Sequence, residues 1–128
     1  MSTENNAIVG SYLAKGTIGN AGIPGAPIVH FALVVTPGTH KVTGNVHVTQ
    51  AVLNGNYSGQ VHGTIYATGL GQVTQVVALT GMIANDGTMP IEISFEAQLA
   101  INGDWKGTGG FSYSNTHVED VPVALLVQ

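Results

Sequence analysis

Residues 91–101, Ile91-Glu92-Ile93-Ser94-Phe95-Glu96-Ala97-Gln98-Leu99-Ala100-Ile101, decide how this chain is built. Ile91, Ile93, Phe95, Ala97, Leu99 and Ile101 fall on one face, while Glu92, Ser94, Glu96 and Gln98 fall on the other. Period-two alternation of this kind is a β-strand with one dry and one wet face. Working outward, similar segments recur near residues 7–15, 28–35, 41–52, 57–68, 72–83, 105–113 and 121–127. Pro37-Gly38, Asn54-Gly55 and Asn102-Gly103 punctuate them as turn signals. No stretch carries a helical repeat. The expectation is an all-β chain: an antiparallel up-and-down meander of about eight strands closing into a β-barrel. Residues 16–27, GTIGNAGIPGAP, read as a long Gly/Pro loop, and the polar residues 1–6 as a disordered N-terminus.

Composition bounds the function. The 128 residues suffice for one domain, 1–128, and one core. Three lysines, no arginine and seven acids give a net charge of -4, with no basic stripe to neutralise phosphates, so nucleic acid is not an expected partner. With no cysteine, disulfides, thiolate ligands and a cysteine nucleophile are excluded. No apolar run approaches the ~20 residues of a membrane-spanning helix. The start lacks a basic and apolar leader, so a cytoplasmic location is the default expectation, with signal-less export as the alternative.

Turn chemistry suggests registers. A two-residue turn at Asn54-Gly55 places Val48 opposite Val61, His47 opposite His62, Asn45 opposite Thr64 and Thr49 opposite Gln60. A three-residue bulged loop at Asn102-Gly103-Asp104 pairs Ile101 with Trp105, Phe95 with Phe111 and Ile93 with Tyr113. A hairpin at Pro37-Gly38 sets His30 opposite Asn45 and diagonal to His47. Gly44, Gly63, Gly81, Gly107 and Gly109 fall on the core face, as bends in a coiling sheet or as room for Trp105, Phe95 and Phe31. The large residues count roughly as filling, so a solid interior is preferred over a cup.

Two segments are apolar on both faces. Ile28, Ala32 and Val34 back Val29, Phe31, Leu33 and Val35, and Ala124 and Leu126 back Val123, Leu125 and Val127. A sheet face in water carries polar residues, so either the 16–27 loop or another subunit is expected to cover these strands. With 8% charged residues, self-association into a homo-oligomer is the preferred reading.

Gly25-Ala26-Pro27, the run from Val42 to Ala51 (VTGNVHVTQA), Asp104-Trp105 and Val118-Glu119-Asp120-Val121-Pro122-Val123 together resemble a family of small bacterial proteins, domain of unknown function 1842. The resemblance covers most of the chain beyond the first twenty or so residues. It implies a compact β-barrel-like domain and carries no established activity or catalytic residue.

Three candidate sites follow from the residues. His30, His47 and His62 would cluster on one outer face and offer three nitrogens to Zn²⁺ or Cu²⁺. Asn45, Thr49, Gln60, Thr64 and Tyr66 form a hydrogen-bonding outer face suited to sugar hydroxyls, while Thr and Tyr are also ordinary residues of exposed strands. For catalysis, no serine stands in a G-x-S-x-G context, and Glu92 and Glu96 are about 13–14 Å apart along one strand, beyond paired-carboxylate range. The expectation is a non-enzymatic, self-associating structural or interaction barrel without a cofactor. The first alternative is a barrel binding a carbohydrate or small apolar ligand, and the second is the metal site.

Overall fold

A computed structural model describes residues 10–51, 55–69, 71, 73–87 and 90–126. Eight strands follow one another as β1 (Tyr12–Ile18), β2 (Ile28–Thr36), β3 (Lys41–Thr49), β4 (Tyr57–Ala67), β5 (Gln75–Asn85), β6 (Glu92–Ile101), β7 (Gly107–Tyr113) and β8 (Thr116–Leu125). Each pairs antiparallel with the next, and β8 returns to β1 through Gly16↔Leu125, Thr17↔Ala124 and Ile18↔Val123. The result is the expected closed meander barrel.

The alternation seen in the sequence sorts the faces. Val29, Phe31, Leu33 and Val35 of β2 and Phe95, Ala97, Leu99 and Ile101 of β6 are buried in one continuous apolar cluster. Among the described residues, no polar or charged residue is buried. Side chains therefore fill the interior, and both ends are plugged. At one end Trp105 packs against Phe31, with ring centroids 5.7 Å apart and planes tilted by 38°, and its indole N–H donates to the Tyr12 hydroxyl at 3.0 Å. At the other end Tyr57 lies 5.6 Å from Tyr113, whose hydroxyl donates to Gln50 Oε1 at 3.1 Å. Dry inside and largely polar outside is the reverse of a transmembrane barrel, whose outer band is apolar. Among the described residues no helix is long and apolar enough to cross a membrane.

Several expectations need correction. Residues 16–18 belong to β1, so the Gly/Pro loop begins at Gly19; Gly16 holds its place because a Cβ there would strike the Ala124 carbonyl and the Phe31 ring. The loop leaves Leu13, Val34 and Leu126 exposed, so it does not cover the apolar outer strands. Residues 1–6, Asn54 and Val127 lie outside the described residues.

All three expected registers slip by an even number of residues. Between β3 and β4, Gly44 faces Val61 and His47 faces Ser58, four residues from the Asn54-Gly55 expectation, because the paired ladder stops at Val48↔Tyr57 and a longer connection follows. Between β2 and β3, His30 faces His47 rather than Asn45, because a four-residue turn with His40 in the left-handed region (φ 57) closes the hairpin. Between β6 and β7, Ile101 faces Gly107, Ala97 faces Phe111 and Phe95 faces Tyr113. There Trp105 sits in the turn itself at φ 60, while Asn102 Oδ1 accepts the N–H groups of Asp104 and Lys106.

Candidate functional site

Glycines shape the outer surface from beneath. Gly44, Gly59 and Gly81 all point inward, where a Cβ would strike the backbone of the neighbouring strand: Ala32, Met82 and Gln60 carbonyls respectively. With no side chain to hold the strands apart, β3, β4 and β5 fold sharply inward. Above them the outer face is concave. A groove of about 810 Å³ runs over Asn45, Ser58, Gln60, His62 and Met82 to Glu92. A second, of about 460 Å³, continues toward His30 and His47 and shares Asn45, Ser58 and Gln60 with the first.

The structure redistributes the candidate residues. Asn45 and Gln60 face each other across β3 and β4 on the wall common to both grooves. Thr49 lies beside β2, where its Oγ1 is 3.3 Å from His30 Nε2. Thr64 pairs with Lys41, and Tyr66 stacks on His40 at 4.4 Å, both toward the Trp105 end of the barrel. The His40 Nδ1 contacts the Ile65 carbonyl at 3.0 Å, which fixes that stack. Two of the five expected ligand-binding residues thus share the grooves, and the aromatic one does not.

Of the three histidines, two come together. His30 and His47 are direct cross-strand partners with ring centroids 6.3 Å apart and planes tilted by 46°. His62 faces Thr43, four residues along β4 from Ser58, which is roughly 13 Å at the usual rise per residue. Among the described residues, no group of three His, Cys, Asp or Glu is placed to hold a metal ion. Partial burial, and then the charge of His47, push the His30 imidazole below its ordinary pKa.

An apolar strip occupies the other side. Leu13 and Val34 face each other across β1 and β2, exposed by 59% and 44%, and Leu126, exposed by 54%, donates its N–H to the Lys15 carbonyl beside them. In the next rows Lys15 faces Ala32, which also lines the smaller groove, and Thr17 faces Ala124, so the strip ends there.

One constellation escaped the sequence reading. Ser112 Oγ lies 2.6 Å from His117 Nδ1, and His117 Nε2 lies 3.1 Å from Glu119 Oε1. The two-residue turn Ser114-Asn115, with Tyr113 facing Thr116, puts Ser112 opposite His117, and Glu119 follows two residues later. That turn was the available signal. The line sits on an open ribbon outside both grooves, with His117 and Glu119 side chains 61% and 72% exposed.

A closed, solid barrel with shaped outer faces defines the class. The family described as "Domain of unknown function (DUF1842)" matches residues 9–118, and the chain belongs to it. No curated protein matches the chain.

Proposed function

We propose that the chain is a non-enzymatic interaction protein that self-associates face to face through β8, β1 and β2. The carrying observation is the exposed pair Leu13 and Val34, cross-strand partners on β1 and β2, with the exposed Leu126 just past the end of β8 and bonded to the Lys15 carbonyl of β1. The barrel closes where Gly16–Ile18 pair with Val123–Leu125, so none of the eight strands offers a full-length edge for another chain to extend, and association is assigned to side-chain faces. A second copy presents the same aliphatic strip; Lys15 is the one charged residue on the outer faces of β1 and β2, and the acids of β8, Glu119 and Asp120, lie in the half of that strand away from Leu126. The non-enzymatic reading is supported by the openness of the Ser112–His117–Glu119 line, where water competes for every bond and no enclosing cleft strengthens them.

Sedimentation equilibrium of the untagged protein tests this. The parent is expected to be oligomeric, and Leu13→Glu with Val34→Glu monomeric, with an unchanged far-UV spectrum. A parent still monomeric at about 0.1 mM, an association weaker than roughly 5.5 kcal/mol, overturns the reading.

A second reading rests on the grooves: Asn45, Ser58, Gln60 and Thr43 offer uncharged donors and acceptors to a hydroxyl-rich ligand, a carbohydrate. Here a bound glycan raises the melting temperature by mass action, and Asn45→Ala with Gln60→Ala abolishes the shift. A panel of glycans that leaves the parent unshifted removes this reading.

A further inference from the structure

We propose that His30 and His47 form a two-nitrogen chelate for a divalent transition metal, with Cu²⁺ held most tightly. The barrel fixes the geometry: β2 and β3 pair without interruption over nine positions, so the two Cα atoms are held as direct cross-strand partners. Two imidazoles sharing one ion at ~2.0–2.1 Å have centroids roughly 4.5–6.5 Å apart. The observed 6.3 Å lies at the wide end of that range, the separation of a nearly trans pair, and rotation about the side-chain torsions that draws the rings together reaches the narrower, cis separations. No strand needs to move.

The surroundings suit a neutral imidazole pair with open coordination positions. Thr17 faces His30 on β1 and Ser58 faces His47 on β4, so a hydroxyl-bearing residue flanks each ring along the same row. Thr49 Oγ1, 3.3 Å from His30 Nε2, orients that ring until a metal replaces it. Ala32 and Asn45, the next pair along β2 and β3, introduce no charge beside the ion. Imidazole nitrogens favour Cu²⁺ over the other first-row divalent ions, following the usual affinity order. The remaining positions on the ion open onto the smaller groove, where water or a ligand donor completes the shell.

The test is a Cu²⁺ titration of the full untagged chain followed by electron paramagnetic resonance. One equivalent should bind first, with hyperfine structure from two nitrogens. His30→Ala and His47→Ala should each weaken it at least tenfold, and His62→Ala should leave it unchanged. A double variant His30→Ala, His47→Ala that binds as tightly as the parent overturns the site, as does a first equivalent lost with His62→Ala. Should the variants misfold, the parent alone decides: substoichiometric Cu²⁺ must broaden the ring proton resonances of His30 and His47 before those of His62 and His117. Broadening in any other order overturns the site.

Discussion

The face over β3, β4 and β5 and the face over β8, β1 and β2 belong to one barrel but are made in different ways. The first is sculpted by what is missing: inward glycines let backbones approach, and the polar surface above them sinks into grooves. The second is made by what is present, large aliphatic side chains standing on an outer face that the core does not use. A face built from backbone approach tolerates no added atom, whereas one built from outward side chains can be rewritten at little cost to the fold. Shape is therefore tied to stability across the groove face, and on the other face only at Gly16, where β1 closes on β8.

The largest expected effect breaks this contrast at Gly44. Its Cβ would meet the Ala32 carbonyl and the Leu33 Cα, backbone atoms that cannot rotate away. Gly44→Val should cost roughly 4 kcal/mol or more in chemical denaturation, at the upper end of overpacking penalties. Gly38→Ala, where an added Cβ meets nothing within 4 Å, should stay within about 0.5 kcal/mol and serves as the control. Equal losses for the two would mean that close strand approach does not shape the groove face.

A smaller effect sharpens the account of the interior. Gln75 Oε1 is buried without a hydrogen-bond partner, at the start of β5 near the Trp105 end. An unsatisfied buried acceptor costs about 1–3 kcal/mol. Gln75→Leu should accordingly raise the unfolding free energy by about 1 kcal/mol, and a loss of stability would show that the amide is satisfied in solution.

What the sequence disclosed, and what it hid, have one physical origin. Side-chain direction in a strand repeats every two residues, so apolar alternation identified Phe95, Val48, Gly44 and Gly63 as inward without knowledge of their partners. A slip of two or four residues leaves every side chain on its proper face. Alternation is therefore blind to the slips at all three hairpins, and register fell to the turns. There Pro37-Gly38 and Asn102-Gly103 lie within connections of four and five residues, through His40 and Trp105 in left-handed conformations that few non-glycine residues adopt. Site geometry depends on partners rather than faces. His30 met His47 instead of Asn45, His62 was left apart, and Ser112 met His117 through a turn at Ser114-Asn115 that drew no notice.

The smallest effect concerns that histidine pair and its pH dependence. Burial and the neighbouring His47 lower the pKa of His30 below 6.5, so between that value and its folded value the unfolded chain binds more protons than the native one. Stability should then fall as pH falls through 6.5 and level off once His30 is protonated in both states. The groups facing His30 are Thr17 on β1 and His47 and Thr49 on β3, with Lys15 beside Ala32 on the next row. Chemical denaturation at pH 5 and pH 7.5, with chelator present, should show a smaller acid loss for His30→Gln than for the parent. His62→Gln should retain the parent's loss, since no second imidazole faces it across β3 or β5. Identical pH profiles for the parent and His30→Gln would mean that neither burial nor the neighbouring His47 holds the His30 imidazole below its ordinary range in solution.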